Sequence, residues 1–361
     1  MRVLSPILSQ VVYPALGKSG YFRSRAIASV VTYHGVLPPG YRTADRFLDD
    51  TLLTAGAFRS QLRLLKRHYN VVPPPQFRQW LGGSQPLPER AVLLTCDDGL
   101  LNNLTVMLPI LQEEELECLF FVTGASATGD SRMLWYLELY LMVMERSRRR
   151  EGFAWREIRV PEAATDPTKR RQHYFELMNQ ISGLSFEDRI NFLQEAARRW
   201  GFSGDWNDRY LSDPLQRQRF QLVDAAGVKQ LVDGRMTVGA HTVSHPALSQ
   251  QPEALARAEI ADNRWQLEGC TGQAVWALAY PFGNASSVGD REYVFAQDAG
   301  YECAFMNIPG MLGQGRRFSL PRVHVTSEMT LGAFEAHVSG FHENLRSRMS
   351  TVGTALTASL L

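Results

Sequence analysis

The sequence predicts an α/β protein: a distorted parallel (β/α) barrel interrupted by a large helical insertion. Three observations predict it. Apolar runs of strand length alternate with amphipathic stretches of helical period, residues capable of chemistry fall where those strands end, and residues 128–220 break the alternation. Strands that regularly alternate with helices imply parallel βα units, and such a run is most simply closed as a barrel.

The elements follow in order. Ala28 to Tyr33 reads as a strand, and Phe58, Leu62, Leu65 and His68 then recur at helical spacing. Next come a strand from Ala91 to Cys96, a helix through Val106 to Leu111, and the strand Cys118 to Val122. Beyond the interruption, Leu222 to Leu231 reads as a helix and Met236 to Ala240 as a strand. Helix 253–268, strand Ala274 to Tyr280, helix 290–299, strand Cys303 to Met306, strand Leu320 to Val325 and a helix from Leu331 complete the series.

Within the interruption, Leu134-Trp135-Tyr136-Leu137 opens a strongly apolar helix through Met144, followed by the basic run Arg146, Arg148, Arg149 and Arg150. Polar and helical stretches punctuated by Pro161, Pro167 and Pro214 follow. Phe186 to Trp200 is amphipathic, with Ile190, Phe192, Leu193 and Ala197 as its expected apolar stripe. No repeat or low-complexity tract occurs. The segment reads as a helical insertion beside the barrel mouth, and its basic run as a solvated face, since charge runs usually are. The functional alternative for that run is contact with a phosphate-bearing lipid carrier of a glycan. The predicted organisation is an N-terminal arm (1–27), a split barrel (28–127 and 220–345), the insertion (128–219) and a C-terminal tail (346–361).

Composition agrees with a large enzyme. At 361 residues, 45% hydrophobic and 21% charged, the chain can bury a substantial core, near the upper end for one domain. A net charge of +1 gives no global attraction to nucleic acid or anionic membrane. The four cysteines, Cys96, Cys118, Cys270 and Cys303, show no close pairing, which argues against a zinc ribbon or a disulfide framework. No run approaches the roughly 18 apolar residues of a membrane span. Met1 to Phe22 is only mildly apolar, broken by Ser5, Pro6, Ser9, Gln10 and Pro14, with Lys18, Arg23 and Arg25 behind or within it and no Ala-x-Ala-like cleavage site. The expectation is a helical or irregular arm on a cytoplasmic protein with at most peripheral membrane contact.

Two short strings carry the chemistry. Thr95-Cys96-Asp97-Asp98-Gly99 and His241-Thr242-Val243-Ser244-His245 each follow a predicted buried strand. Alone, Asp-Asp-Gly after a strand is most often a turn, and two histidines four apart are often ordinary surface or core residues. Together they are what a hydrolytic metal site needs. One carboxylate and two neutral imidazoles can hold a divalent ion with positions left open, and the other carboxylate is then free to accept a proton from water. In a parallel barrel, chemistry sits at the C-terminal ends of strands. His34, Asp97, Asp98, His241, His245 and Pro281 to Gly283 all fall there.

The strings resemble the first and second motifs of the polysaccharide deacetylases, the NodB-homology group or carbohydrate esterase family four, in its exopolysaccharide-biosynthesis form. Ala279-Tyr280-Pro281-Phe282-Gly283 is similar to that family's Arg-x-Pro-Tyr-Gly wall of the binding groove, and Tyr33-His34-Gly35-Val36 to its Tyr-His-x-Val. The likeness covers roughly residues 28–127 and 220–328.

The resemblance implies a (β/α)7-like barrel and hydrolysis of an N-acetyl group on an amino sugar of a polysaccharide or glycan precursor. It implies that Asp98, His241 and His245 hold a divalent metal, zinc first, with Co2+ or Ni2+ suiting the same ligands, and that Asp97 is the base. It gives Tyr280, Pro281, Phe282 and Gly283 a substrate-binding or oxyanion role, with the Phe282 N–H facing the oxyanion. It makes His324 the general acid, although Leu320-Pro321-Arg322-Val323-His324 departs from the family's Leu-x-His string, and His34 a supporting residue. The expected partner is an N-acetylated glycan or lipid-linked sugar, with no nucleic acid. The alternatives are another hydrolase on the same scaffold (a deformylase, an acetyl ester hydrolase, a ring-opening amidase) and a degenerate glycan-binding module.

Two departures shape the expectations. The arginine that opens the family's third motif is replaced by Ala279, and the family's Asp and Trp groove pair has no visible counterpart. By period-two alternation Arg322 points to the same side of its strand as His324. It is therefore expected to supply the missing guanidinium and to contact Asp97 within about 3.2 Å.

Overall fold

Ala91–Cys96, sequence Ala-Val-Leu-Leu-Thr-Cys, has no polar face to offer water. In the computed structural model all six residues are buried, as a strand covered on both sides of a parallel sheet must be. The structure describes residues 28–341 apart from 44, 129–132, 147–150, 203, 205, 314 and 315. The expected N-terminal arm with Lys18, Arg23 and Arg25, the residues Arg148 to Arg150 and the C-terminal tail lie outside the described residues.

The strands of the sheet are β1 (Ala28–Tyr33), β2 (Ala91–Cys96), β3 (Leu119–Val122), β4 (Thr237–Ala240), β5 (Ala277–Ala279), β6 (Cys303–Phe305) and β7 (Val323–His324). They pair in the order β6-β5-β4-β3-β2-β1-β7, every pair parallel, and a short strand Asn70–Val71 adds to β2 off this path. The sheet curves as a half-barrel. Leu320 also bridges Phe305 in parallel, so the segment entering β7 touches both β6 and β1.

Helices cover the outer face. In α1 (Ala55–His68), Thr54 caps the first turn and Phe58, Leu62 and Leu65 turn inward. Leu108–Glu113 (α2) follows a π-helical turn at Asn103–Met107, where the sequence predicts plain helix. Within the insertion lie α3 (Trp135–Glu145), α4 (Pro167–Ile181) and α5 (Phe186–Trp200), with the shorter helices Asp208–Ser212 and Pro214–Phe220 after them. The series closes with α6 (Ala225–Asp233), α7 (Glu253–Thr271), α8 (Asp290–Asp298) and α9 (Leu331–Val338). No helix among the described residues is long and apolar enough to cross a membrane. All four cysteines are free.

Several element limits differ from the sequence reading. The helix predicted at Leu222 starts at Ala225, because Leu222 instead pairs in an antiparallel bridge with Leu100. The strand Ala274 to Tyr280 shrinks to Ala277–Ala279, and Leu320 to Val325 to Val323–His324. Cys118 lies just before β3 rather than within it.

The insertion is not wholly helical, since Phe153–Trp155 and Ile158–Val160 form an antiparallel hairpin. Its apolar cluster, with Leu139, Met142, Leu177, Ile181, Phe192 and Trp200, is distinct from the barrel cores. On α5 the buried face is Arg189, Phe192, Leu193, Ala196 and Trp200, while Ile190 and Ala197 are half-buried. The expected solvated face also fails at its first residue. Arg146 is buried, donates to the Pro161 and Glu162 carbonyls at 3.0 and 2.9 Å, and lies 4.9 Å from the centre of the Trp200 ring. Backbone carbonyls and an aromatic face satisfy a guanidinium that charge patterning assigns to water.

Arg146 also faces His173 Nδ1 at 3.3 Å. A guanidinium only donates, so the imidazole accepts and is neutral. Burial, with Arg146 adding to it, holds His173 below its ordinary pKa. The unfolded chain then takes up a proton before the folded one does. Stability contributed by this residue is full above pH of about 6.5 and is lost as pH falls below it. Denaturant midpoints measured between pH 7.5 and 5 should fall more for the native chain than for His173→Gln.

Candidate active site

The site is built at the ends of four strands, His34 following β1 among them, and by helix α3 of the insertion. Asp97 and Asp98 follow β2, His241 follows β4, and Tyr280 to Gly283 follow β5. The backbone there is unusual. Asp98, Thr242, His245 and Phe282 all have positive φ (77, 64, 57 and 60°), a region costly to residues with a Cβ. The surroundings hold them. The Asp97 N–H donates to Tyr33 O at 2.9 Å and the His245 N–H to Thr242 Oγ1 at 3.1 Å. Gly283 sits at φ +58, where a Cβ would come within 2.5 Å of the Asn307 nitrogen.

Asp98, His241 and His245 converge. Nε2 of His241 and of His245 lie 3.5 and 3.4 Å from the same Asp98 oxygen, Oδ1. All three ligand atoms fall within 4.8 Å of one another, and all three residues are buried. Ligands about 2.0–2.2 Å from a shared tetrahedral ion stand roughly 3.4 Å apart, so the set fits a divalent metal. His241 Nδ1 donates to the Ala279 carbonyl at 2.7 Å, which turns Nε2 towards Asp98. Its backbone N–H donates to Asn263 Oδ1 at 2.7 Å.

Asp97 stands apart from this set. Arg322 donates to both of its oxygens, Nη1 to Oδ1 at 2.7 Å and Nη2 to Oδ2 at 2.6 Å. The same guanidinium donates through Nε to the Met306 carbonyl at 3.1 Å. Burial works to raise the Asp97 carboxyl, but Arg322, with His241 and His34, outweighs it and holds the pKa below the usual range. Burial likewise opposes ionisation of Asp98, and the two imidazoles overcome it by a wide margin. Both carboxylates are ionised at neutral pH.

His324 and His34 meet edge to face at 5.1 Å. His34 lines the cavity above the metal ligands, and His324 stands behind it, 3.0 Å from Asn307 Nδ2 through its Nδ1. With the amide donating, the ring proton is on Nε2. Burial, then His34 and Arg322, lower the His324 pKa to about 3, so its ring is neutral at pH 7. Of the third-motif residues, Tyr280 and Phe282 line the cavity. The Tyr280 hydroxyl is turned away, donating to the Phe318 carbonyl at 3.2 Å.

The insertion reaches into this site. The Tyr136 hydroxyl lies 3.2 Å from Asp98 Oδ2, the oxygen turned away from the imidazoles. Burial and the adjacent Asp98 raise its pKa well above normal, so the phenol keeps its proton and donates. Trp135 Nε1 donates to the His245 carbonyl at 2.9 Å. Arg189 donates to Ser244 Oγ at 2.8 Å and lies 5.1 Å from the Trp135 ring centre, while Glu259 accepts from the Ser244 N–H at 2.8 Å. Sequence reasoning missed Tyr136, Trp135, Arg189, Glu259, Asn263 and Asn307. Only Glu259 and Asn263 left a signal, as polar residues four apart on the face of α7 that also buries Ala256, Ile260 and Leu267.

Comparisons agree with this geometry. The polysaccharide deacetylase family model matches residues 202–304, which hold the second and third motifs. The fold is similar to that of the Streptococcus pyogenes deacetylase PplD solved with acetate, at 15% identity and a TM-score of 0.56 over 87% of this chain and 99% of that one. It is also similar to IcaB from Ammonifex degensii (17%, 0.52, 87% and 97%) and to a polysaccharide deacetylase from Bacillus cereus (16%, 0.51, 86% and 69%). No curated protein matches the chain. Residues 202–304 are thus similar to the polysaccharide deacetylase family model, and the solved structures show that the barrel has the fold of those deacetylases.

Two outcomes are expected at this site. Tyr136→Phe should weaken zinc binding about tenfold in a competition titration, because partners behind a ligating carboxylate typically contribute 10–100-fold. Arg322→Lys keeps the charge and loses the fork, so kcat should fall well beyond any rise in KM. Normal turnover in Arg322→Ala would remove the arginine from the reaction.

Proposed function

We propose that this chain is a divalent-metal-dependent N-deacetylase of an N-acetylated amino sugar in a polysaccharide or glycan precursor. One observation carries the reading: a carboxylate gripped by a guanidinium (Asp97 on Arg322) stands beside a separate carboxylate–imidazole triad at the floor of one cavity. A module that only bound glycan would need neither the free base nor the triad. The Streptococcus pyogenes relative, solved with acetate, supports acetyl as the group removed.

Asp98, His241 and His245 would hold the ion, and zinc suits two nitrogens and one oxygen. When bound, a divalent ion supplies Lewis acidity to water and to the acyl carbonyl. Asp97, ionised and held by Arg322, accepts the proton of the attacking water at its carboxylate. The Phe282 N–H, placed by the left-handed turn at Pro281 to Gly283, is assigned to the developing oxyanion. The carbon–nitrogen bond then breaks and the amine nitrogen takes a proton. A ring held at about pKa 3 brings none of its own at neutral pH, so the amine takes the water's proton back from Asp97, while His324, the acid by resemblance, stands behind His34 with Nδ1 accepting from Asn307.

Acetate release from N-acetylated amino sugars, measured with zinc and after chelation, tests the reading. Release should require the metal. Asp97→Asn should abolish turnover with metal still bound, and Asp98→Asn should lose metal as well. Equal metal loss in the two variants would reverse their roles, and formate in place of acetate would make the enzyme a deformylase.

A further inference from the structure

The two histidines of the triad are held differently. His241 is anchored through its second ring nitrogen, Nδ1, on the Ala279 carbonyl at 2.7 Å. His245 Nδ1 is buried and has no hydrogen-bond partner among the described residues. A metal-binding imidazole is normally oriented by a partner on the nitrogen that does not face the ion. The direction of the His245 ring therefore depends on the rings packed around it and on its own backbone, which is left-handed at φ 57°.

That backbone is clamped from two sides. Ser244 Oγ accepts from Arg189 Nη2 at 2.8 Å and donates to Glu259, whose other oxygen takes the Ser244 N–H at 2.8 Å. The His245 carbonyl accepts from Trp135 Nε1 at 2.9 Å, and the Arg189 guanidinium lies 5.1 Å from the centre of that indole. Arg189 comes from α5 and Trp135 from α3, both in the insertion, whereas Glu259 belongs to α7 of the barrel. Ser244 thus joins a buried cation to a buried anion, 1% and 7% exposed.

For the fold alone, Arg189 is an unfavourable choice. Its Nε and Nη1 are buried with no hydrogen-bond partner among the described residues, and burial lowers its pKa to about 10. A buried guanidinium with nitrogens left unpaired destabilises the chain that carries it, so its presence calls for another reason. The hydrogen bond that its Nη2 does make goes to the residue preceding a metal ligand.

We propose that Arg189 is a positioning residue of the metal site: by holding Ser244 it aims His245 at the ion, and metal binding is thereby coupled to the docking of α5. The inference rests on the metal assignment above and is independent of which acyl group is removed. Coupling is reciprocal, so losing the Arg189–Ser244 contact weakens the hold on the ion, and the ion in turn tightens α5.

The test uses the full chain and zinc alone, with affinity read by competition against a chromophoric chelator. Arg189→Met keeps apolar bulk against Trp135 and removes the cation, and Ser244→Ala removes the hydroxyl. Each should raise the zinc Kd about tenfold with the far-UV circular dichroism unchanged. The double variant should bind no more weakly than the worse single one, because both cut the same contact. A folded Arg189→Met chain with zinc affinity within about twofold of the native value would overturn the role. Losses that multiply in the double variant would show that Arg189 does not act through Ser244, and would overturn it too. Hydrogen exchange on the native chain tests the coupling even if Arg189→Met fails to fold. Saturating zinc should slow amide exchange in α5 about fivefold or more, with α9, packed on α1 and β1, changed less than about twofold. No slowing in α5, or equal slowing in both helices, would overturn the coupling. A native chain that binds no zinc would overturn the metal assignment itself, whereas native binding with unaltered variants would overturn only the role of Arg189.

Discussion

A buried charge that must find a partner organises this molecule. Asp97 sits at the end of the fully buried β2, and Arg322 enters from the far end of the sequence, just before β7. The pair is out of water, so each ion carries a desolvation penalty that only close, well-aligned contact offsets. The fork supplies two short bonds to Asp97, and the Met306 carbonyl takes the remaining Nε proton. Removing either partner would strand a buried charge, at a cost of about 3–5 kcal/mol. Pairing of β7 with β1 therefore also brings Arg322 to Asp97.

The same arrangement explains why Ala279 is tolerated at the opening of the third motif. With the guanidinium arriving from β7, that strand position needs no cation. Its carbonyl serves the site instead, taking the His241 Nδ1 proton and fixing the tautomer that presents Nε2 to a metal.

The insertion contributes to the candidate site. Its helices contact the carboxylate of Asp98, the carbonyl of His245 and the hydroxyl of Ser244, each in a segment with left-handed residues. Strained backbone at a site persists when its surroundings over-determine it. Tyr136, Trp135 and Arg189 provide that from one side, and Glu259 and Asn263 on α7 from the other. Barrel and insertion thus meet at the residues that would hold the metal.

Much of this was legible in the linear sequence. Local periodicity and burial determined the order and type of the barrel elements, because a strand or helix is specified mainly by its own side chains. The motifs placed Asp97, Asp98, His241 and His245 at strand ends by the same local logic, and alternation along the last strand turned Arg322 towards the site. What lay out of reach depends on packing between distant segments. Arg146 reads as solvent-facing charge until Trp200 and backbone carbonyls enclose it. Tyr136 and Tyr140 read as helix core until the insertion docks and turns them onto the cavity. Charge and aromaticity in a sequence give a residue's chemistry but not its neighbours. Only the tertiary structure decided those neighbours, because the free energy that buries a guanidinium or bares a tyrosine comes from contacts formed after the chain has closed.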